Sequence, residues 1–451
     1  MEPCDALETL RTFRHSPYEC FDRRADALFE ITDAILTADV LPSPVHLSLQ
    51  GVHRRGWGSL YAALSKGRMN FEALRKLVVA HPLAEERTTT TPVYAVDTSV
   101  WSRCDAESSP ERGYYYHPSR HSAGQPIVAG WAYQWIVQLG FARDSWVAPM
   151  DLRRVRPTEN TNEVAAEQVK GLLRRSGERD GGVPLFVFDA GYDPMRLQQS
   201  LEGCQAQILV RLRAGRCFYA DPLPPAWTGR RPCHGPKLDT KEPNTWPTPS
   251  AEHRCEDVAY GVVRVRAWAG LHSKIQNHPT RGTRSPRPIV RGTLVLVEVS
   301  RLPRGERRRK PKELWLWWHG PGEPELKLLW RAYVRRFDLE HTFRFLKQSL
   351  GWTTPRVRHP EQADRWSWLV LVVYAQLRLI RACVADLRLP WERRYAPGRL
   401  TPVRVRRGVL ALLPVLGTPA KPPKPCGRSP GRPKGRRSGR AKRYPALKKS
   451  G

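Results

Sequence analysis

Three acidic residues, far apart in the sequence, occur where strands or a helix could bring them together. Asp97 lies in a run of apolar and β-branched residues that is typical of a strand. Asp189 directly follows the apolar run 184–188, and Glu340 lies within 331–352, where apolar residues recur at helical spacing. An unpaired buried carboxylate is costly, whereas oxygen ligands suit divalent cations such as Mg²⁺. We therefore expect a metal ion beside Asp97, while Asp189 and Glu340 lie where they could also meet a ligand.

Each of these residues also has a purely structural interpretation. Asp97 could form a turn, as Asp often does after a strand. Asp189 or Asp193 could cap the helix that is predicted to start near Pro194. We assign the cap to Asp193 and the chemistry to Asp189, because carboxyl ends of strands in α/β sheets meet ligands. Glu340 could simply belong to a solvated charged face.

The segment 331–352 predicts one helix with two faces. The apolar face repeats at core-facing spacing through Leu339, Phe343, Leu346 and Leu350. At about 100° per residue, a phenol and three cations fall within roughly 40° of Glu340. These residues are Tyr333, Arg336, Arg344 and Lys347. A carboxylate among cations suits a metal ligand or a phosphate-handling site.

The spacing Tyr333-x2-Arg336-x3-Glu340-x6-Lys347 resembles the signature in the last catalytic helix of one large group of bacterial insertion-sequence transposases. The order of predicted elements over roughly residues 92–385 is similar to the ribonuclease H-like catalytic domain of DDE transposases. The resemblance implies that Asp97, Asp189 and Glu340 are catalytic and ligate Mg²⁺, for which Mn²⁺ could substitute. It also implies that Tyr333, Arg336 and Lys347 hold DNA phosphates. We expect Arg344, on the same face of the helix, to bind DNA as well.

The activity that this resemblance implies is cut-and-paste transposition. The protein would bind insertion-sequence ends as a homodimer on double-stranded DNA and catalyse metal-dependent cleavage and strand transfer. Two alternatives stay open. One is a catalytically silent DNA-binding remnant or repressor, and the other is a ribonuclease H-like nuclease that cuts without joining.

Composition favours a polyanionic partner. The chain has 75 Lys and Arg against 43 Asp and Glu, a formal charge of +32 and a pI near 10.4. Its nine cysteines form no Cys-x-x-Cys pair, which indicates reduced thiols. The first residues contain no apolar signal segment, and the apolar run Trp366–Ile380 is too short to span a membrane. We expect a soluble, cytoplasmic, nucleoid-associated protein.

The predicted fold class is α/β, a ribonuclease H-like mixed sheet flanked by helices. We expect five segments: an N-terminal helical domain (1–88), the first catalytic part (92–213), a β-rich insertion (214–320), the last catalytic part (321–390) and a disordered basic tail (391–451). The N-terminal helices could bind DNA ends or simply cap the next domain. Trp317 and Trp318 could stack an unpaired DNA base or belong to the core.

Overall fold

The computed structural model describes most of the chain. The described residues are 3–83, 91–117, 126–142, 144–177, 182–222, 234–274, 289–303, 313–396, 399–425, 433–435 and 439–448. Parts of the predicted basic tail, namely 397–398, 426–432, 436–438 and 449–451, lie outside these residues. No helix in the described ranges is both long and apolar enough to cross a membrane.

One mixed sheet of twelve strands forms the centre of the described structure. The strands are β1 Val93–Ser102, β2 Gly113–Tyr116, β3 Ile127–Leu139, β4 Val147–Val155, β5 Leu185–Phe188, β6 Gln207–Arg211, β7 Cys217–Tyr219, β8 Lys237–Asp239, β9 Ala251–Asp257, β10 Gly261–Ser273, β11 Arg291–Val299 and β12 Glu313–His319. Their order is β2-β3-β1-β5-β6-β12-β11-β10-β7-β8, with β4 on β3 and β9 on β10. Strands β1, β5 and β6 run parallel, and the other pairs are antiparallel.

Helices cover both faces of this sheet. They are α1 Pro3–Glu19, α2 Ala25–Thr37, α3 Trp57–Lys66, α4 Phe71–Val79, α5 Thr161–Ser176, α6 Pro194–Ser200, α7 Leu326–Arg335, α8 Phe337–Gln348, α9 Pro360–Ile380, α10 Pro402–Val409 and α11 Leu413–Leu416. Side chains alternate along a strand, so Ala95 of β1 packs in the core that contains α8 and α9, while Val96 packs in the core formed with α5 and α6.

The apolar run Trp366–Ile380 lies within α9 and is buried throughout. Pro360 begins the helix, and a capping box between His359 and Gln362 satisfies its first amides. Helices α1, α2 and α3 all pack on α9. The N-terminal helices therefore share a core with the sheet, as in the capping interpretation. Their predicted role in binding DNA ends stays a prediction.

Three features differ from the sequence-based expectations. The segment 331–352 is two helices rather than one, with Arg336 between them, because the amide of Leu339 bonds the Arg336 carbonyl in a tight i→i+3 turn. The segment predicted as a β-rich insertion subdomain instead continues the central sheet, since β12 pairs with β6. The stretch 391–451 is not disordered throughout, because α10 packs on α2 and α9.

Candidate active site

Two of the predicted carboxylates lie on neighbouring parallel strands. Val96 of β1 pairs with Phe188 of β5, so Asp97 and Asp189, which follow these residues, lie side by side at the same end of the pair. Asp97 Oδ1 accepts the amide of Thr98 at 2.7 Å, and Asp189 Oδ1 accepts the amide of Gly191 at 2.8 Å. Both carboxylates are thus held by local backbone donors while part of each stays accessible.

Glu340, the third predicted carboxylate, is linked to Asp97 through Arg336. Arg336 Nη1 lies 2.9 Å from Asp97 Oδ2, and Arg336 Nη2 lies 3.1 Å from Glu340 Oε1. The Arg336 side chain is 4% exposed, the Asp97 side chain 17% and the Glu340 side chain 51%. Among the described residues, no three His, Cys, Asp or Glu side chains already form a metal-binding group. In this conformation a guanidinium therefore stands between Asp97 and Glu340.

An aromatic cluster fixes α8, which carries Glu340, against the sheet. Trp135 of β3 is the cross-strand neighbour of Asp97. Its ring meets that of Trp352 edge-on at 5.2 Å and that of Phe343 at 6.0 Å. Edge-to-face pairs of buried rings add directional stability beyond their burial. The contact places the helix with Glu340 directly over the strands that carry the aspartates.

Burial dominates the electrostatics of Asp97. Loss of solvent raises the pKa of this carboxyl to about 7, and the Arg336 guanidinium works against that rise. The negative charges of Asp189 and Glu340 raise the pKa further. Mutual repulsion among carboxylates is what a bound cation relieves. A cation bound at this site would therefore favour the charged form of Asp97.

Tyr192 is a site residue that sequence reasoning missed. Its hydroxyl accepts a hydrogen bond from Gln134 Nε2 at 3.0 Å and lies 3.1 Å from Thr98 Oγ1. Burial and the nearby charges of Asp97 and Asp189 raise the pKa of this phenol, so it stays protonated. It braces the turn after β5 against β1. Only its position three residues after Asp189, within one turn, could have suggested this role.

The predicted phosphate-binding residues separate into two sets. Arg344 is exposed and Lys347 is half-buried with its Nζ 5.7 Å from the Trp352 ring, so both lie on the accessible side of α8. Tyr333 is 2% exposed, and Arg336 faces carboxylates. In this conformation neither side chain meets solvent, and their predicted contact with DNA phosphates stays a prediction.

Trp317 and Trp318 are core residues, so the base-stacking prediction is wrong for them. Trp317 is 0% exposed and Trp318 4% exposed. Trp317 stacks on Phe218 at 5.2 Å and donates to Gln198, while Trp318 donates to Gln207. A base has no access to either ring in this structure, because both side chains are buried.

The donor set suits a hard divalent cation. Carboxylate oxygens are the ligands that Mg²⁺ and Mn²⁺ favour, and Asp97 and Asp189 offer them side by side. Burial first, and the charges of Asp189 and Glu340 second, raise the pKa of Asp97, and a cation bound beside it would lower that pKa. Glu340 could contribute a third oxygen once Arg336 releases it. Asp193, in contrast, accepts the amides of Met195 and Arg196 and caps α6, as predicted.

Comparisons with known proteins place the chain in a family. No curated protein matches its sequence. One solved structure, the piggyBac transposase synaptic complex with hairpin DNA, is similar over 85% of this chain and 69% of that chain, with 12% identity and a TM-score of 0.40. Residues 18–274, more than half of the sequence, match the family described as DDE superfamily endonuclease. The chain therefore belongs to the DDE superfamily of endonucleases.

Proposed function

We propose that this protein is a transposase that binds the ends of an insertion sequence and catalyses DNA cleavage and strand transfer. The observation that carries the proposal is the juxtaposition of Asp97 and Asp189 at the ends of parallel strands, with Glu340 linked to Asp97 through Arg336. Three carboxylates from two strands and a helix suit phosphoryl transfer. Membership of the endonuclease family supports the same chemistry.

The finer parts of the proposal follow from the sequence resemblance. The catalytic part would be ribonuclease H-like, and the spacing from Tyr333 to Lys347 would place the protein with bacterial insertion-sequence transposases. It would act as a homodimer on paired double-stranded DNA ends in the cytoplasm, associated with the nucleoid. The helices of residues 1–88 would contribute to end binding. Its net charge of +32 supports a polyanionic partner.

Asp97, Asp189 and Glu340 would hold the divalent ions that DDE endonucleases generally use. Bound there, Mg²⁺ would lower the pKa of an attacking hydroxyl and stabilise charge on the scissile phosphate. The chain itself supplies orientation. Tyr192 braces the turn that carries Asp189, and the aromatic contact between Trp135 and Trp352 holds α8. Both contacts form without a bound metal ion.

DNA phosphates would lie along the accessible side of α8. Arg344 and Lys347 are the described cations on that side, one and two turns beyond Glu340. Contacts of this kind position a strand without reading its sequence. Arg336 would join them only after leaving Asp97 and Glu340, which the two short ion pairs currently prevent.

The test is a nicking and joining assay on DNA that carries the sequences flanking the gene, with Mg²⁺ or Mn²⁺ present. We expect Asp189→Asn to lower the cleavage rate at least about a hundredfold, or about 2.7 kcal/mol in the barrier. The matched control is Asp193→Asn, because asparagine also caps helices well, and it should cleave like the wild type. Equal nicking by wild type and Asp189→Asn would sink the catalytic assignment.

The same assay separates the alternatives. A DNA-binding remnant or repressor would bind the flanking DNA but would not nick it in the presence of Mg²⁺ or Mn²⁺. A nuclease that cuts without joining would release 3′-hydroxyl ends but would not join them to a target duplex. A transposase would yield both cleaved ends and joined products, and only the joined products would distinguish it from the nuclease.

A further inference from the structure

Two arginines lie directly opposite each other among the N-terminal helices. Arg23, two residues before α2, and Arg68, two residues after α3, form an antiparallel β-bridge. The amide of Arg23 donates to the Arg68 carbonyl at 3.3 Å, and the amide of Arg68 donates to the Arg23 carbonyl at 3.2 Å. Residues that exchange both bonds carry their side chains on the same side, with Cβ atoms about 4.5–5.5 Å apart. Both residues are exposed, so two guanidinium groups share one patch of surface.

Two further exposed cations flank the bridge. Lys66 ends α3, and Arg24 directly precedes α2. Within the described parts of the chain, none of these four cations lies within 4 Å of a carboxylate oxygen. Asp26, in the first turn of α2, instead accepts the Tyr18 hydroxyl at 2.7 Å and the Lys421 amide at 2.9 Å. The four residues, which we call the bridge patch, thus carry four positive charges without an ion pair.

The backbone holds the two arginines of the bridge patch together. A Cβ at Gly67 would overlap the Ala63 carbonyl oxygen, so only glycine allows this close approach before Arg68. The amide of Asn70 donates to the Cys20 carbonyl at 2.8 Å, which extends the pairing beyond the bridge. Like charges directly opposite each other are destabilising. An anion bound between the two guanidinium groups would relieve this repulsion.

The bridge patch lies at the end of the sheet that carries the predicted catalytic aspartates. Tyr133 of β3, whose β1 partner is two residues beyond Asp97, donates its hydroxyl at 2.8 Å to Asp364 near the start of α9. The next residue of α9, Arg365, donates at 2.6 Å to the carbonyl of Leu64 near the end of α3. Successive contacts therefore connect the C-terminal part of β1 with the end of α3, where the patch begins.

We propose that the bridge patch, Arg23, Arg24, Lys66 and Arg68, is a DNA-phosphate site, separate from the cations of α8, that positions the duplex for cleavage at the carboxylates. The inference rests on the proposed function for its ligand, DNA. Guanidinium groups bind phosphate oxygens through paired hydrogen bonds, and such contacts fix a duplex without reading its sequence. A second copy of the chain docked patch to patch would oppose like charges, which disfavours it as the occupant.

The salt dependence of DNA binding tests the bridge patch. Each phosphate contact contributes about 0.9 to the slope of log affinity against log salt concentration. We expect the double variant Arg23→Gln, Arg68→Gln to lose about 1.8 of this slope, so its deficit in affinity should grow about sixtyfold between 1 M and 0.1 M salt. Fluorescence anisotropy of a labelled duplex of the flanking sequence, with the full-length chain and a chelator, measures binding without cleavage. Failure of the catalytic assignment would therefore leave this result unchanged.

Two matched variants separate the bridge patch from overall charge. Lys170→Gln with Arg174→Gln removes two exposed cations from α5, which packs on the other face of the sheet, and should leave the slope unchanged. Arg23→Lys with Arg68→Lys keeps both charges and should keep the slope. The melting temperature of the DNA-free glutamine variant should not fall, because the substitution removes a repulsion. A fall would contradict the repulsion between the two arginines.

Three outcomes would overturn the phosphate site. The first is a wild-type slope in the double glutamine variant. The second is an equal loss of slope in the α5 variant, since net charge alone would then explain binding. The third is a loss that appears on the flanking sequence but not on a duplex of scrambled sequence, because that result would assign the arginines to base contacts.

Discussion

Replacing Arg336 with glutamine tests whether this guanidinium competes with a metal ion for the carboxylates of Asp97 and Glu340. Arg336 bonds Asp97 at 2.9 Å and Glu340 at 3.1 Å, so an ion shared by these carboxylates must displace it. The uncharged variant has no such competitor. We therefore expect Arg336→Gln to bind Mg²⁺ more tightly than the wild type does, in the absence of DNA.

The magnitude follows from the exposure of the two ion pairs. The Glu340 side chain is 51% exposed, and a pair with so open a carboxylate contributes about 0–1 kcal/mol. The Asp97 pair is more buried, and two unit charges about 4 Å apart interact by up to about 4 kcal/mol at an effective dielectric of about 20. Desolvation offsets much of this attraction. We expect a net gain of about 1.4–2.8 kcal/mol, or about tenfold to a hundredfold in affinity.

Calorimetric titration of metal-free protein with Mg²⁺ measures this affinity. The pH must lie well above the pKa of Asp97, which is about 7, because loss of Arg336 raises that pKa further. Arg344→Gln is the matched control, since it removes an equal charge from the exposed side of the same helix. Unchanged or weaker Mg²⁺ binding by a folded Arg336→Gln variant would refute the competition.

Three further predictions concern packing and buried charge outside the candidate active site. Gly292→Ala should cost about 1–3 kcal/mol in chemical denaturation, because its Cβ would lie 2.4 Å from the buried Trp317 ring; a change near zero would contradict the core placement of that ring. Arg14→Met should cost about 3–5 kcal/mol, because it strips the buried Asp33 of a 2.8 Å ion pair, and adding Asp33→Leu should recover most of the loss. If the double variant is no more stable than the single one, the pair is not the cause. Burial lowers the pKa of His81 below its unfolded value of about 6.5, so its contribution to folding stability should be full above that pH and fall as the pH drops. In chemical denaturation at a series of pH values, His81→Gln should reduce this loss of stability in acid. An unchanged pH dependence would assign the loss to other groups.

Local patterns in the sequence were sufficient to predict several elements that carry the site. β-Branched and apolar runs predicted strands that the structure has at Val93–Ser102 and Leu185–Phe188. The cap at Asp193 was also predictable, because capping depends on residues only two or three positions away. Such features are set by backbone geometry and near neighbours, so a single sequence contains the needed information.

Long-range contacts decided the remainder. Periodicity does not reveal that Arg336 turns towards Asp97, a residue 239 positions away, or that α8 begins only after it. An aromatic run such as that around Trp317 has the same composition in a core as on a binding surface, and only the pairing of β12 with β6 and β11 buried it. The contacts of α10 with α9 and of Leu447 with β2 likewise join segments that are far apart in the sequence. Which surface covers a side chain depends on how distant segments assemble, so the tertiary structure alone determined these features.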